Sequence, residues 1–284
     1  MERSLAKQAK DSHPGTAKLF EAMRYALLGG GKRLRPLLSL AAAEAVGGRQ
    51  REALPAAMAV EAIHAYSLIH DDLPCMDDDD LRRGRPTCHK IFGESTALLA
   101  GDALLTLAFE FLAGNGVKSL EAGRRINSAA LHLARAAGAV GMVGGQVLDL
   151  AFENSGNRDI EEVRFMAARK TGDLIAAALV CGSALAGGSP SELKTLRALG
   201  HHAGLAFQIK DDLLNLTGDP KVMGKAKGSD AEHGKSSFPA LLGEEGAERE
   251  LRALAEKALA AAASFKLRGR NLRFLILRMV NRER

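Results

Sequence analysis

Six of the ten residues from Asp71 to Asp80 are aspartate, in the run DDLPCMDDDD, and a basic RRGR, Arg82 to Arg85, follows at once. A second acidic pair opens DDLLN, Asp211 to Asn215, far downstream. Clustered carboxylates repel one another by about 1 kcal/mol per pair at ~4 Å even in water, so a chain that keeps two such clusters needs cations to hold them together. Acidic runs are usually solvated faces. These two instead continue apolar helical patterns, AVEAIHAYSLIHDD and ALGHHAGLAFQIKDDLLNL. Carboxylates at the ends of buried helices read as a divalent-metal site. Their hard oxygens suit Mg²⁺, which usually takes one or two carboxylates together with phosphates and waters. Two such clusters facing each other would grip a diphosphate through several Mg²⁺ ions, whose charge stabilises it as it leaves.

The elements that must position these residues are helices. Asp211 and Asn215 are four apart and share one helix face, with Asp212 beside them. Pro74 cannot continue a regular helix, so Asp71 and Asp72 close one, and Asp77 and Asp78 reach back from beyond the break. Almost every other segment reads with a helical period, and no alternating β-branched run argues for strands. Helices are expected over Ala17–Leu28, Pro36–Val46, Arg51–Leu73, Ser95–Leu112, Leu120–Ala137, Met142–Phe152, Ile160–Ala186 and Ser191–Leu216. Three more are expected over Ser236–Leu242, Glu248–Ala263 and Leu267–Arg282. Pro36 and Pro190 fall near helix starts, where a missing N–H costs nothing. With 284 residues, 46% hydrophobic content, 4% aromatics and no Trp, the core must be filled by aliphatic side chains and Ala. Ile175–Ala186 is apolar nearly all round, which predicts burial. One all-α domain spanning 1–284 is the simplest account.

Composition excludes several classes. The net charge of +5 is spread along the chain rather than gathered in one tract, which argues against nucleic acid and fits anionic small substrates. Three cysteines, Cys75, Cys88 and Cys181, have no framework spacing and are expected as free thiols. Cys88-His89 has no partner pair nearby for a structural zinc. No uninterrupted apolar stretch of 18 residues and no signal-peptide core are apparent, so a cytoplasmic protein without stable membrane insertion is expected.

The first motif has the form DDxxxxD, through Asp71, Asp72 and Asp77, preceded by HAYSLIH from His64 and followed by LRRGRPTCH. The second has the form FQxxDDxxD from Phe207, with Asn215 in place of the last aspartate. With GGGKRLRP (Gly29 to Pro36), GGQVLDL (Gly144 to Leu150) and KTG (Lys170 to Gly172), the chain resembles the trans-isoprenyl diphosphate synthases, the bacterial farnesyl diphosphate synthase branch most closely. The resemblance runs from about Met23 to Leu242, with the motifs in the family's order. It implies an all-α bundle around a deep central cavity, usually a homodimer. The implied reaction is head-to-tail condensation of isopentenyl diphosphate with an allylic diphosphate. The allylic substrate ionises and loses pyrophosphate, the isopentenyl double bond attacks the cation, and a proton is then lost. Apolar helices suit that chemistry, because a carbocation must be kept from water.

Carried over residue by residue, the resemblance makes Asp71, Asp77 and Asp211 the direct Mg²⁺ ligands, three ions serving each site, with Asp72, Asp78 and Asp212 in support. Lys32, Arg35, His64 and Arg83 match the isopentenyl diphosphate site. Arg82, Lys170, Thr171, Gln208, Lys225 and Lys235 match the allylic diphosphate site. Gln146 and Asp149 have a supporting look, and Gly144-Gly145 reads as close helix packing. His70 is read as orienting a carboxylate or as packing, and His201-His202 as a helix-surface pair. Lys225 and Lys227 sit in GKAKGSD, read as a closing lid. The substitution by Asn215 removes a negative charge and predicts weaker Mg²⁺ binding. The basic tail leaves open whether Arg282 or Arg284 closes the site. Tyr66 lies five residues, about 7.5 Å of helix, before Asp71. With Ser67 it is the expected floor under the growing prenyl chain, and in the resembling bacterial enzymes an aromatic here accompanies a fifteen-carbon product. A twenty-carbon synthase, a class I terpene cyclase and a non-catalytic synthase subunit are the competing readings.

Overall fold

The computed structural model describes residues 1–114, 116–117, 119–155, 159–217 and 237–282. Lys225, Lys227, Lys235 and Arg284 lie outside them. The described chain is all-α apart from one two-residue antiparallel hairpin. In chain order the helices are α1 (Glu2–Asp11), α2 (Ala17–Leu28), α3 (Leu34–Ala45), α4 (Gln50–Asp71), α5 (Cys88–Phe92), α6 (Glu94–Ala113), α7 (Leu120–Ala137), α8 (Met142–Ser155) and α9 (Ile160–Ala167). A π turn (Ala168–Gly172) leads into α10 (Asp173–Leu185), followed by α11 (Pro190–Thr217), α12 (Phe238–Ala263) and α13 (Arg270–Val280).

Contacts divide the chain into two compact units, Met1–Arg33 with Met58–Gly116, and Leu34–Ala57 with Val117–Arg284. In the first, α2 packs on α6 and α5. Between α4 and α5 the hairpin β1 (Leu81–Arg82) and β2 (Arg85–Pro86) pairs Arg82 with Arg85. In the second, α10 packs against α3, α7 and α11, and every residue from Leu174 to Ala184 is buried. The all-round apolar pattern was the signal for that, and Ala and Leu dominate the buried list as the low aromatic content requires. A neighbouring core gathers Phe152, Val163, Leu213 and the fully buried Phe238 from α8, α9, α11 and α12.

Several expectations change. The sequence pattern gave no helix before Ala17, yet Glu2–Asp11 is helical; it is polar and buries only Leu5. The helix expected over Ile160–Ala186 is interrupted by the π turn. The break expected between Ser236–Leu242 and Glu248–Ala263 falls at Gly243, whose φ of 70° is non-helical, so α12 is two helical segments meeting at a kink. α6 is long and apolar enough by length and composition to cross a membrane, with 44% of its most apolar stretch buried.

Candidate active site

In the first unit, α4 ends at Asp71, three residues before Pro74. The chain then turns back on itself. The Asp77 amide donates to the Asp71 carbonyl at 2.9 Å, and the Asp78 amide to the Leu73 carbonyl at 3.1 Å. Asp78 closes this turn in the left-handed region at φ 49°. Arg82, on the hairpin, ties the cluster together. Its Nε donates to Asp72 Oδ1 at 2.8 Å and its Nη2 to Asp79 Oδ2 at 3.0 Å, while Asp71 lies 3.8 Å away. Burial opposes the Arg82 charge, but the hydrogen bond to Asp72 and the three carboxylates outweigh it and raise its pKa. Asp72 is almost fully buried, and that burial pushes its carboxyl up to about 6 despite Arg82.

A cleft of about 60 Å³ adjoins this cluster, lined by Glu61, His64, Asp72 and the arginines at 33, 82, 83 and 85. Arg33 forms an ion pair with the buried Glu61. Arg83 donates to the Gly30 carbonyl at 2.7 Å and lies 3.5 Å from His64 Nε2, and burial lowers its pKa. Arg33 and Arg83 both adopt positive φ, 49° and 57°. Non-glycine residues held there carry strain of roughly 1–3 kcal/mol each and cluster at functional sites. Gly31 adopts φ 104°, a conformation that residues with a side chain rarely take, which is why glycine stands there beside the Arg83 guanidinium. Several guanidinium forks and an imidazole beside a carboxylate cluster can grip a diphosphate. Lys32 is exposed and is not among the lining residues.

Tyr66 is buried on α4, its ring edge-on to His70 at 5.6 Å, and burial raises its pKa. His70 Nε2 donates to the Leu98 carbonyl on α6 at 3.0 Å, so His70 braces α4 against α6. Ser67 Oγ turns back to the His64 carbonyl at 2.9 Å.

In the second unit, Arg35 lies in α3, and the other predicted residues lie on α8, the π turn and α11. Lys170, in the π turn, pairs with Asp149 of α8. Gly145 makes this approach possible: a Cβ there would lie 2.3 Å from the Lys170 amide nitrogen. Single π turns inside helices are frequent at functional sites. Thr171 Oγ1 donates to Gln208 Oε1 at 2.8 Å, and Gln208 Nε2 donates to Asp212 Oδ1 at 2.9 Å. The other Asp212 oxygen accepts the Phe238 amide at 3.0 Å, at the start of α12, where a carboxylate favours the helix dipole. Both Asp212 oxygens are therefore engaged by the protein. Asp211, one residue before it, pairs with Arg282. Arg282 also stacks on the Phe207 ring at 3.9 Å and donates to the Phe207 carbonyl at 3.2 Å.

The sequence pattern missed Arg33, Glu61, Arg85 and Asp79. Glu61 had a readable signal, since it is the one acid in the apolar run AVEAIHAYSLIH and lies three residues before His64. His201 is no plain surface residue: it is half-buried, 3.5 Å from Asp173. Cys88 and Cys181 are free and buried, their thiols pushed up by that burial to about 11 and about 12. No three His, Cys, Asp or Glu groups among the described residues are gathered closely enough to hold a metal by themselves. The donor set of acidic oxygens beside cationic forks fits Mg²⁺ bound jointly with a phosphorylated substrate.

Comparison with known proteins shows the family to which the chain is similar. Farnesyl diphosphate synthase of Bacillus subtilis is 47% identical over 233 residues, covering 82% of this chain and 78% of that protein. The large subunit 1 of a heterodimeric chloroplast geranylgeranyl pyrophosphate synthase of Arabidopsis thaliana is 49% identical over 228 residues, 80% of this chain but only 62% of that protein's length. The solved geranyltransferase of Helicobacter pylori complexed with magnesium and isoprenyl diphosphate is 36% identical, with a TM-score of 0.82 over 96% of this chain and 93% of that one. The polyprenyl synthetase family model matches residues 16–267, which contain both acidic motifs and the basic cleft, and the chain belongs to the polyprenyl synthetase family.

Proposed function

We propose that this protein is a Mg²⁺-dependent prenyltransferase that condenses isopentenyl diphosphate head to tail with dimethylallyl and geranyl diphosphates, releasing pyrophosphate and farnesyl diphosphate. The observation that carries the reading is the aspartate cluster at the end of α4 joined, through Arg82, to a cleft lined by His64, Arg33 and Arg83. Asp71, Asp77 and Asp211 are assigned as metal ligands. Three bound Mg²⁺ ions would supply the positive charge that stabilises the departing pyrophosphate. His64, Arg83, Lys32 and Arg35 would take isopentenyl diphosphate. Arg82 would turn from brace to substrate contact on the allylic diphosphate, with Lys170, Thr171, Lys225 and Lys235; Gln208 would hold Thr171 and Asp212 in register.

A fifteen-carbon product is favoured by Tyr66, whose buried ring would stop the growing chain one and a half turns before Asp71. The second reading is a twenty-carbon product, and the 49% identity to a geranylgeranyl synthase subunit favours it. The Lys32, Arg35 and His64 set argues against a terpene cyclase, and the retention of both acidic motifs against a non-catalytic subunit. Residues 1–284 are read as a single catalytic domain, and the protein as a cytoplasmic homodimer. Incubation with dimethylallyl and isopentenyl diphosphates plus Mg²⁺, with the product sized by chromatography, tests the activity. A fifteen-carbon alcohol after phosphatase treatment supports the first reading, a twenty-carbon one the second, and no condensation at any Mg²⁺ concentration rejects both.

A further inference from the structure

Away from Lys170 and Asp211, the second unit holds another concentration of charge. Helix α7 presents His132 and Arg135, three residues apart, and α11 presents Arg197 and His201, four apart; the π turn adds Arg169. They line a trough of about 280 Å³ floored by the small buried residues Ala176, Ala177 and Val180 of α10. One water needs roughly 10–15 Å³ of such space, so the trough admits an oxyanion with its waters. Asp173 is the only carboxylate among the lining residues. It is buried and already engaged, 3.0 Å from Arg169 Nη1 and 3.5 Å from His201. Three guanidinium groups therefore line a trough that holds one carboxylate, and that carboxylate is paired with Arg169.

The cations are arranged in ways that folding alone does not reward. Arg197 donates to His132 Nδ1 at 3.0 Å, a contact that requires a neutral imidazole. The Arg169 Nε is buried without a hydrogen-bond partner, and leaving such a donor unsatisfied is costly. Both imidazoles report the uncompensated charge. Burial, then Arg197 and Arg135, lower the pKa of His132; burial, then Arg169 and Arg197, lower that of His201 against the pull of Asp173, with His202 adding to the lowering. A tetrahedral oxyanion would accept the forked N–H groups of several arginines at once.

We propose that this trough is a second anion site, distinct from the residues assigned to condensation, and that it takes a phosphate or diphosphate group. Inorganic phosphate and pyrophosphate share the required chemistry. Pyrophosphate is the condensation product only if the proposed function holds, but binding is read here without turnover. The π turn sends Arg169 to the trough and Lys170 to Asp149, so the two sites are separable by substitution.

The test is a titration of the whole protein with inorganic phosphate in Mg²⁺-free buffer containing a chelator. The histidine C2–H signals are followed by NMR and assigned with H132Q, H201Q and H64Q. The His132 and His201 signals should shift and saturate, and their pKa values should rise. The double variant R135Q/R197Q should weaken that binding at least about tenfold while keeping the wild-type mass by light scattering, the wild-type circular dichroism and the condensing activity. A parallel pyrophosphate titration names the occupant: tighter binding by about tenfold or more assigns the site to pyrophosphate, and equal binding assigns it to free phosphate. The proposal fails if the shifts are linear and reproduced by chloride at equal ionic strength, if only His64 responds, or if R135Q/R197Q saturates like wild type. It also fails if that variant changes oligomeric mass, which would make the trough a subunit contact.

Discussion

Gly145→Ala is the most discriminating substitution for the second unit. A Cβ at this position would lie 2.3 Å from the Lys170 amide nitrogen, 2.6 Å from Lys170 Cα and 2.9 Å from the Arg169 carbonyl carbon. Carbon contacts become favourable only at about 3.5 Å, so α8 and the π turn must part by roughly 1 Å. The obstructing atoms are backbone, and no rotamer change relieves them. Overpacking of this kind costs about 1–3 kcal/mol, a fall in Tm of only several degrees for a chain this long. Activity should suffer more. Lys170 and its partner Asp149 lie on opposite sides of the joint, and a misplacement near 1 Å can cost about 100-fold in rate. Gly172→Ala is the control in the same turn, because a Cβ there meets nothing nearer than 3.9 Å. Steady-state kinetics of condensation, alongside thermal melts of both variants, provide the readout. G145A with near-wild-type kcat/KM would refute the argument that this close approach sets the Lys170 position. A loss of activity that merely follows the unfolded fraction would reduce Gly145 to ordinary packing.

Other expectations can be checked together. Tyr66→Ala should lengthen the product to twenty carbons or more and cost about 3 kcal/mol of stability as a core truncation; an unchanged product profile would remove Tyr66 from the argument. Glu61→Gln weakens the hold on Arg33 and should raise the KM for isopentenyl diphosphate about tenfold with a smaller effect on that for the allylic substrate; equal effects on both would count against it. Arg282→Gln should lower Tm in Mg²⁺-free buffer by a few degrees, about 1 kcal/mol for a partly exposed pair, and should enlarge the Tm rise on adding Mg²⁺, because a cation is removed from Asp211; an unaltered Mg²⁺ response would contradict this. Asp72 sets a pH dependence. Its folded pKa of about 6 lies above the ordinary carboxylate value, so the folded state binds the extra proton, and ionisation costs stability as pH rises from about 4 to about 6. Asp72→Asn should therefore gain on wild type across that window by on the order of 2–3 kcal/mol, measured by denaturant melts without Mg²⁺, and a pH-independent difference would exclude the effect.

The helices were legible because Ala and Leu recur at helical spacing over long stretches, and because Gly and Pro punctuate them. What escaped was short, polar or non-local. Helix α1 is polar on average and buries only Leu5, so its short apolar stripe is easily passed over. The hairpin around Arg82 has two-residue strands, too short for any alternation. The ion pair between Arg33 and Glu61 joins positions 28 apart, and only the oddity of an acid inside an apolar run pointed to it.

The two acidic motifs share a division of labour that their letters do not disclose. In each the chain writes two adjacent aspartates, which local propensity treats alike. In the first, Asp72 is drawn inside and tied to Arg82, with its side chain 4% exposed against 14% for Asp71. In the second, Asp212 is held by Gln208 and by the amide that opens α12, while Asp211 is 38% exposed. On α11 successive residues point about 100° apart, which separates Asp212 from Asp211; at the first motif the chain leaves α4 at Asp71, and the turn carries Asp72 inward to Arg82. The inward one needs hydrogen-bond partners supplied by the protein, and both motifs provide them. The outward one keeps its charge at the surface of the site, where a cation can meet it. On Asp211 that cation is Arg282, two residues past the end of α13, so this arginine and a metal ion would compete for the same carboxylate. The second motif also carries Asn215 where an aspartate would add a negative charge, so a cation drawn to Asp211 would meet one carboxylate fewer there.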